Sequence, residues 1–502
     1  MSQINIICDN EAATIQLAET MALAMRCGDL VTLNGDLGAG KTTLARALIR
    51  TASGNPMMEV PSPTFTLVQS YEKLPMGNLA HMDLYRIEDG SELEELGLEE
   101  ALGNGVVIIE WPQKAKGLLP KPALEIDIQL GTNDDHRQFG VTGTAEAMAR
   151  FERSLAIRVF LDSNNHEKNT RQYLTGDASS RSYETIHVAG GEADIILMNA
   201  PPMSDGAPIK DGKPYSQIAK LAENMRPFVG VGLALEKNGF RSPHIYAQDL
   251  EQGFLLIESL GTGTIVTDKR KPIKERYEVA LEVLAAVHEQ QWNTECKIPG
   301  GSSHIIPPFD REAIHIEVEL LSDWYAPYCL KTSLSEKDQI EFRSIWDDLI
   351  DQLEDAEKSL TLRDYHSPNV IWIGEASGND RIGVIDFQDA LIGPTAYDVA
   401  SIAQDARVDV SVELEQHLIN HYCANRSALD EKKFRKAYAI MAAERATKIL
   451  GIFVRLSKRD GKHNYLAHLP RIENYLSRSL THPALARYRG WVENVIRLSA
   501  EK

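Results

Sequence analysis

Residues 35–42 read GDLGAGKT, and this stretch decides the fold of the first part of the chain. With the next position, its residues are Gly35, Asp36, Leu37, Gly38, Ala39, Gly40, Lys41, Thr42 and Thr43. The stretch satisfies GxxxxGK[ST], and it lies between an apolar run at 29–34 and a helical run at 42–52. Glycines let backbone N–H groups curl around phosphate oxygens, and a helix N-terminus favours the same anion. The order strand, loop, helix therefore predicts a P-loop, with the lysine on the β- and γ-phosphates and the following threonine on Mg²⁺.

Two carboxylates downstream are candidates for the rest of this site. Short apolar runs at 105–110 and 124–130 alternate with helical segments, which predicts a parallel α/β sheet. Glu110 ends the first of these runs, and Asp83 lies in HMDLYR at 81–86. A carboxylate at the carboxyl end of a parallel strand points into the ligand crevice. We expect these two residues to act as catalytic groups and metal ligands; the alternative is that each is a solvated surface carboxylate.

Composition excludes several classes of protein. The chain has 502 residues, 43% of them hydrophobic and 25% charged, so it is long enough for two or three domains and is not disordered as a whole. The formal net charge is −19, and neither half of the chain is basic. A protein that binds nucleic acid over its whole surface carries a basic field instead. Any RNA must therefore be held by a local patch or by a partner subunit.

Cysteine usage and hydropathy bear on the location of the protein. The five cysteines are scattered, without a CxxC pair or a Cys/His cluster, so we expect free thiols in a reducing cytoplasm and no structural zinc site. No run of about 18 apolar residues is present, and the first 20 residues lack the pattern of a signal peptide. These features predict a cytoplasmic protein that does not associate with membranes.

A second motif, LRDYHSPN at 362–369, is typical of a phosphotransferase catalytic loop. Asp364 and Asn369 have the spacing of a catalytic base that accepts a hydroxyl proton and a magnesium ligand. Asp386, in VIDFQDA, follows an apolar run and is the predicted second magnesium ligand. His366 is expected to orient the loop, and Asp389 either contacts the loop or substrate or caps a helix. Two unrelated polar loops are the alternative interpretation.

The second half of the chain predicts a small β-rich lobe followed by a larger α-rich lobe. GDASSRSY at 176–183 stands where a phosphate-covering loop is expected, with Ser179 and Arg181 as candidate nucleotide ligands. Strand-like runs follow at 194–199 and 254–258, and the chain is mostly helical after residue 273. A polar stretch at 162–170 marks the boundary between the two organisations. We expect one domain at 1–155 and another at 156–502, the latter with lobes at about 165–260 and 261–502.

The first half resembles the TsaE family of P-loop ATPases, which serve the bacterial pathway to tRNA N6-threonylcarbamoyladenosine (t6A37). The resemblance covers about residues 1–150 and rests on GDLGAGKTTLAR, SPTFTLVQSY, HMDLYR and IEWP, in that order. It implies that Thr42 and Glu110 handle Mg²⁺ and that Asp83 supports the metal or the water. It also implies a switch-like loop at 62–66, with Thr64 near the γ-phosphate. The family acts with TsaD and TsaB, so TsaD- and TsaB-like subunits are the expected partners, and tRNA is reached through that complex.

The second half resembles the aminoglycoside phosphotransferase-like kinases over about residues 165–495. GDASSRSY, ILMNAPP, FLLIESLG, RDYHSPN and VIDFQDALIGPTAYDVAS are similar to the AmgK-type branch, which phosphorylates the anomeric hydroxyl of N-acetylmuramate and N-acetylglucosamine. The resemblance implies a bilobal protein-kinase-like fold, with Glu258 and Leu260 at the hinge near adenine. Met198 stands where most kinases of this fold carry a lysine, and Arg181 is a candidate to replace that charge.

Together these features predict an α/β chain in which a P-loop NTPase domain precedes an aminoglycoside phosphotransferase fold. The leading hypothesis is a bifunctional enzyme: an ATP hydrolase and an ATP- and Mg²⁺-dependent kinase whose acceptor is an alcohol group of an amino sugar. The two nucleotide sites are expected to work independently. In the alternatives, the second domain is a non-catalytic nucleotide-binding module, or its acceptor is an aminoglycoside or a choline-like alcohol. The acidic segment 317–323 then forms a pocket for a cationic acceptor, although a solvated helix face is the simpler interpretation.

Overall fold

The computed structural model describes most of the chain in two compact units. It describes residues 3–75, 77–87, 96–115, 117–131, 133, 135–174, 181–188, 193–203 and 206–498. The first unit comprises Met1–Ala200 and Tyr246–Ser259, and the second comprises Pro201–Ile245 and Leu260–Lys502. The predicted phosphate-covering residue Ser179 lies outside the described residues, with residues 175–180.

A seven-stranded sheet forms the first part of unit 1, in the order β1-β7-β6-β2-β5-β4-β3. Strands β6, β2, β5 and β4 are parallel to one another, whereas β7 is antiparallel to both β1 and β6, and β3 is antiparallel to β4. The strands are β1 (Ile4–Cys8), β2 (Leu30–Asn34), β3 (Val68–Tyr71), β4 (Asn78–Asp83), β5 (Gly105–Glu110), β6 (Leu124–Leu130) and β7 (Arg137–Gly143). The helices are α1 (Glu11–Ala24), α2 (Lys41–Ser53), α3 (Leu98–Asn104) and α4 (Ala145–Asp162).

Both faces of this sheet are buried, which explains why its central strands are continuous apolar runs. Val31 and Leu33 of β2 pack in one core cluster with residues of α1 and α2. Leu30 of the same strand packs in a second cluster with Val107 and Ile109 of β5. The parallel α/β sheet predicted from the runs at 29–34, 105–110 and 124–130 is therefore present.

A five-stranded sheet forms the second part of unit 1, in the order β11-β12-β10-β9-β8. Strand β10 lies between β9 and β12 and is antiparallel to both. The strands are β8 (Thr170–Leu174), β9 (Ser182–His187), β10 (Ile195–Asn199), β11 (Ile245–Asp249) and β12 (Phe254–Glu258). This is the β-rich lobe that the sequence predicts, and its strands at 195–199 and 254–258 match the two apolar runs.

Helix α4 belongs to the cores of both sheets. Its first half supplies Ala147, Met148 and Phe151 to the core cluster of the seven-stranded sheet. Its second half supplies Phe160 and Leu161 to a cluster with residues of the five-stranded sheet. The helix runs through residue 155, where the sequence suggested that one domain ends. The division of the chain at that residue stays a prediction.

The polar stretch after α4 folds back onto the helix rather than forming a loose tether. Arg158 donates from Nη1 to the carbonyl of Asn169 at 3.1 Å and from Nη2 to the carbonyl of His166 at 2.5 Å. Asn164 donates to the carbonyl of Phe160 at 2.7 Å. These side-chain contacts satisfy backbone groups that a linker would leave to water, so the polar composition of this stretch does not make it a flexible spacer.

A buried ion network joins α1 to the five-stranded sheet. Glu19 of α1 accepts a hydrogen bond from the backbone N–H of Arg171 on β8 at 2.8 Å. The guanidinium of Arg171 pairs with Glu184 on β9 at 2.7 Å, and Arg158 of α4 lies 3.7 Å from Glu19. Burial raises the pKa of Glu19 to about 7, although Arg171 and Arg158 oppose that shift. The helices of the first sheet and the strands of the second are thus packed through buried ionisable groups.

Unit 2 is mainly helical, as the sequence predicts. Its helices are α5 (Tyr215–Ile218), α6 (Arg226–Lys237), α7 (Lys274–Glu289), α8 (Arg311–Leu320), α9 (Ala326–Leu330), α10 (Glu336–Asp351), α11 (Ala396–Ala403), α12 (Val412–Ala424), α13 (Glu431–Asp460), α14 (Leu469–Ser479) and α15 (Ala486–Trp491). Its strand pairs are β13 (Glu295–Lys297) with β14 (Ser303–Ile305), β15 (Lys358–Thr361) with β18 (Leu391–Pro394), and β16 (Val370–Trp372) with β17 (Ile382–Val384). Among the described helices of both units, none is long and apolar enough to cross a bilayer.

Candidate active sites

The glycine-rich loop at 35–40 connects the end of β2 to the first residue of α2. Gly35 has a φ of 148°, and a Cβ atom at this position would lie 2.7 Å from the carbonyl oxygen of Ile128. Gly40, immediately before α2, has a φ of 108°. Both backbone conformations disfavour residues with a side chain. The glycines therefore allow the loop to turn at the N-terminus of α2, which is the geometry of a phosphate-binding site.

The side chain of Lys41 folds back onto this loop. Its ammonium group donates to the carbonyls of Gly35 at 2.8 Å and Asp36 at 2.9 Å. It also lies 3.6 Å from the centre of the Trp111 ring, a cation–π contact that the sequence did not predict. Burial lowers the pKa of Lys41, while Glu110, Asp83 and Asp36 oppose the shift. The lysine is positioned by contacts on several sides before any phosphate binds.

Glu110 is placed beside the P-loop by the pairing of β5 with β2. Thr42 donates its hydroxyl to Glu110 Oε2 at 2.9 Å, and His81 Nε2 lies 2.9 Å from Glu110 Oε1. The glutamate is only 2% exposed. Its burial excludes the interpretation of a solvated surface carboxylate, and its contact with Thr42 agrees with the predicted pairing of these residues.

Asp83 lies next to Glu110 because β4 and β5 are parallel and in register at these two residues. Its Oδ2 accepts a hydrogen bond from the hydroxyl of Thr64 at 2.8 Å, and its Oδ1 accepts one from the backbone N–H of Tyr85 at 3.0 Å. Ser62 and Thr64 are also linked through their hydroxyls at 2.8 Å. The loop predicted to act as a switch therefore contacts one of the two predicted carboxylates.

The donor atoms at this site fit a hard divalent cation. The Thr42 hydroxyl and the carboxylates of Glu110 and Asp83 are oxygen ligands, the type that Mg²⁺ prefers. Sequence reasoning missed Arg137 of β7, whose Nε donates to the carbonyl of Ala39 in the loop at 2.9 Å. This residue is 98 positions from its partner, and only the sheet order brings it there.

Two buried carboxylates accept hydrogen bonds from the backbone of the predicted catalytic loop, residues 362–369 of unit 2. The backbone N–H groups of Leu362 and Arg363 donate to Asp398 of α11 at 2.6 and 2.8 Å. The N–H of Ser367 donates to Asp405 at 2.8 Å. Neither carboxylate is exposed. Such charge-assisted bonds fix the loop backbone, and the sequence did not assign this role to either aspartate.

Asn369 joins the two predicted aspartates of the site. Its Nδ2 donates to the carbonyl of Asp364 at 3.0 Å and lies 3.4 Å from Asp386 Oδ2. The other oxygen of Asp386 accepts from Gln388 at 2.9 Å. The antiparallel pairing of β16 with β17 places Asn369 and Asp386 together at one end of the two strands. The three residues predicted from two separate motifs thus form one site, with oxygen atoms suited to Mg²⁺.

The charges around Asp364 keep its carboxyl group ionised. Burial alone would raise the pKa of Asp364, but its interactions with His366, Lys448 and Arg445 outweigh burial and lower it. Arg445 also donates to the carbonyl of Arg363 at 2.9 Å, which is a further contact that holds the loop backbone. An ionised carboxylate is the form that accepts a proton from an attacking hydroxyl.

At Glu317, both expectations for the acidic segment 317–323 are wrong, whereas Asp323 is exposed. The side chain of Glu317 is fully buried, forms an ion pair with Arg363, and lies 2.7 Å from Lys448. Burial opposes ionisation, but Arg363 and Lys448 lower the pKa of Glu317 overall. This residue therefore belongs neither to a solvated face nor to an open pocket for a cationic acceptor. It balances the buried cations beneath the catalytic loop.

His366 and Asp389 are two further polar residues of the predicted site. His366 is half-buried, desolvation lowers its pKa, and its backbone N–H donates to the carbonyl of Asp364 at 3.0 Å. Asp389 accepts a hydrogen bond from the backbone N–H of Ala222 at 2.7 Å, so it anchors a distant segment rather than capping a helix.

For the other candidate nucleotide ligands, the structure gives their positions but shows no role. Arg181 is half-buried just before β9, and Glu258 ends β12, two residues before Leu260. Met198 is buried in the central strand β10, at 3% exposure. The contacts of Arg181, Glu258 and Leu260 with nucleotide stay predictions.

Comparison with known proteins matches two parts of the chain to two families. Residues 8–139 match the family described as threonylcarbamoyl adenosine biosynthesis protein TsaE, and residues 170–432 match the phosphotransferase enzyme family. A "tRNA threonylcarbamoyladenosine biosynthesis protein TsaE" of Rickettsia bellii is 40% identical over 136 residues, which cover 27% of this chain and 92% of that protein.

Relatives of the second half carry one common name. An "N-acetylmuramate/N-acetylglucosamine kinase" of Caulobacter vibrioides is 31% identical over 356 residues, which cover 69% of this chain and 97% of that protein. A protein of the same name from Pseudomonas aeruginosa is 31% identical over 321 residues, which cover 62% of this chain and 84% of that protein. The two sets of relatives match different parts of one chain.

Proposed function

Because this chain belongs to the TsaE family through its first part and to the phosphotransferase enzyme family through its second, we propose that it carries two separate ATP-dependent activities. The first is the ATPase function of tRNA t6A37 modification. The second is phosphorylation of the anomeric hydroxyl of an amino sugar, N-acetylmuramate or N-acetylglucosamine. The single observation that carries the kinase proposal is Asn369, whose amide bridges the backbone of Asp364 and the carboxylate of Asp386.

In the kinase reaction, the sugar hydroxyl attacks the γ-phosphorus of ATP, and the bond to the β-phosphate oxygen breaks to release ADP. Asp364 accepts the hydroxyl proton as the new O–P bond forms. Asn369 and Asp386 offer the oxygen atoms to hold Mg²⁺, which when bound neutralises charge on the phosphates. Asp398 and Arg445 hold the loop backbone, so that Asp364 does not need to reorganise during the reaction.

In the ATPase domain, the loop N–H groups and Lys41 bind the phosphates, while Thr42, Glu110 and Asp83 form the oxygen set for Mg²⁺. Thr64 contacts Asp83, which supports a coupling between the loop at 62–66 and this carboxylate. We propose TsaD- and TsaB-like subunits as partners, with tRNA bound through them. The net charge of −19 agrees with a chain that does not bind tRNA over its whole surface.

The kinase proposal is tested with the full chain, ATP and Mg²⁺ against N-acetylmuramate, N-acetylglucosamine, choline and an aminoglycoside, read by mass spectrometry. We expect a phosphosugar that is lost in Asp364→Asn and retained in Asp380→Asn, a matched change at an exposed aspartate of the same unit. Phosphorylation of choline or the aminoglycoside alone would reassign the acceptor. ATP binding with no phosphorylated product from any compound would support the non-catalytic module instead.

The ATPase proposal is tested by t6A synthesis in the presence of TsaD- and TsaB-like proteins. We expect the wild-type chain and Lys121→Ala, a change at an exposed lysine, to support synthesis, and Lys41→Ala to abolish it. Lys41→Ala should leave sugar phosphorylation intact because the two sites share no residue. Equal t6A synthesis by Lys41→Ala would contradict the proposal.

A further inference from the structure

Two packed helices of unit 2 place two histidines opposite two glutamates. Helix α7 carries Glu278 and Glu282, and helix α12 carries His417 and His421. In each pair the residues are four positions apart, so they lie on one face of their helix. His417 Nε2 lies 2.5 Å from Glu278 Oε1, and His421 Nε2 lies 3.2 Å from Glu282 Oε1.

Three of these side chains have ligand atoms close enough to share one ion. One ligand atom each from Glu278, His417 and His421 can be chosen so that all three lie within 4.8 Å of one another. In a tetrahedral zinc site, bond lengths of about 2.0–2.1 Å place neighbouring ligand atoms about 3.3 Å apart. Side-chain rotations that shift these half-buried ligand atoms by about an ångström convert the present arrangement into that geometry. The backbone does not need to move.

The helices that carry the four residues are fixed by their buried sides. Leu281 of α7 and Leu418 of α12 are fully buried, and His288 of α7 lies 2.7 Å from the hydroxyl of Tyr422 on α12. The spacing of the two faces is therefore set by the core, before any ion binds. Such preorganisation favours metal binding because little conformational entropy is lost.

Glu282 is oriented by a hydrogen bond from a neighbouring arginine. Arg381 donates from Nη2 to Glu282 Oε2 at 2.8 Å, which leaves Glu282 Oε1 directed at His421. Hydrogen bonds of this kind orient metal-binding carboxylates. Lys274 lies 3.8 Å from Glu278 Oε1, but its side chain is half-exposed and can turn to solvent.

We propose that Glu278, His417 and His421 bind one divalent transition-metal ion, and that Glu282, which lies outside this group of three but 3.2 Å from His421, turns in as the fourth ligand. Two imidazole nitrogens and two carboxylate oxygens fit Zn²⁺ in a closed tetrahedral site. With all four positions occupied by protein, the ion cross-links α7 to α12 and activates no water. The carbonyl of Ala280 on α7 accepts a hydrogen bond from Tyr365 of the catalytic loop at 2.8 Å, so the ion stabilises the helix behind that loop.

The proposal is tested by titrating Zn²⁺ into the chelator-treated full chain, with excess Mg²⁺ present to occupy the nucleotide sites. Calorimetry is expected to show one ion bound per chain. His417→Ala and His421→Ala should each weaken binding at least about tenfold. Glu278→Gln, which keeps the side-chain volume, should weaken it as well. Co²⁺ should give the visible absorption of a tetrahedral nitrogen–oxygen site in the wild type but not in these three variants.

The matched control is His244→Ala, because His244 also faces a glutamate, Glu236, at 3.1 Å but without a second histidine four residues away. This variant should bind Zn²⁺ like the wild type. All variants are compared by thermal unfolding without metal, which shows whether they are folded, and Zn²⁺ should raise Tm only where the four ligands are intact. Absence of stoichiometric binding by the wild type, or binding unchanged in both His417→Ala and His421→Ala, overturns the proposal.

Discussion

Glu110 occupies a position where charge, rather than shape, decides its role. Its two oxygens contact Thr42 and His81, and its side chain is buried at the end of β5. A glutamine at this position keeps the size and one acceptor oxygen but loses the negative charge that a metal ion requires.

We therefore expect Glu110→Gln to lower ATP hydrolysis by the full chain, in the presence of its partner subunits, by about 10²–10³-fold. Nucleotide binding should change much less, because the loop N–H groups and Lys41 remain. Glu146→Gln, at a side chain that is 88% exposed, is the matched control and should hydrolyse ATP like the wild type. Full activity of Glu110→Gln would remove this residue from the catalytic machinery.

Glu317 is a second residue whose effect depends on burial. It is the anion shared by Arg363 and Lys448. Its removal takes away the anion that both cations contact, which costs about 3–5 kcal/mol in comparable proteins.

We expect Glu317→Gln to lower the free energy of unfolding by that amount and to reduce kinase turnover, since Arg363 belongs to the catalytic loop. Glu319→Gln removes a partner of Arg343 at the surface and should cost less than about 1 kcal/mol. Denaturant unfolding of both variants measures the difference. Equal stability of the two variants would show that burial of the ion pair has no energetic consequence.

At the scale of elements, helix α1 and strand β8 meet through Glu19. The pKa of this carboxyl is raised to about 7 by burial, above its ordinary value of 4.5. Between these two values, the unfolded chain releases the proton while the folded chain retains it. The contribution of Glu19 to stability therefore falls as the pH rises through this window.

We expect the stability of the wild type relative to Glu19→Gln to decrease by roughly 3 kcal/mol between about pH 4.5 and pH 7. The glutamine accepts the same hydrogen bond from Arg171 but does not ionise. Thermal unfolding at both pH values measures the change. A difference in stability between the wild type and the variant that stays constant, or that grows, as the pH rises would contradict the assignment.

At the scale of the whole molecule, the shared helix α4 limits how the chain can be divided. Phe160 and Leu161 cover Leu197 and Phe254 of the five-stranded sheet in one buried cluster. A fragment that begins at residue 164 lacks this helix and exposes those apolar side chains, whereas a fragment that begins at residue 144 retains it.

We expect fragment 144–502 to be soluble and to unfold cooperatively, and fragment 164–502 to aggregate or to melt at a much lower temperature. Circular dichroism and sedimentation measure both properties. The same thermal stability for the two fragments would show that α4 is dispensable for the kinase sheet. The result decides which fragment is suitable for separate assays of the two activities.

Much of the fold and of both sites is predictable because local patterns carry them. The P-loop, Glu110, Asp83 and the motif from Asp364 to Asn369 depend on residue type and short spacing, which a sequence displays directly. The strands at 105–110 and 254–258 are apolar runs whose burial follows from composition. Local pattern alone therefore indicates two phosphate-handling domains.

Other features are decided only by tertiary structure, because they join residues that are far apart in the chain. Arg137 reaches the P-loop through sheet order, Asp398 reaches the catalytic loop through helix packing, and Glu317 is buried although its segment is acidic. His417 and His421 lie opposite Glu278 for the same reason, because helix packing brings them together. The scattered cysteines of the sequence predict no structural zinc site, and they carry no information about this arrangement. Short-range pattern determined which chemistry each domain carries; long-range packing determined which charges lie buried against one another, because the cost of burying a charge depends on partners that the local sequence does not contain.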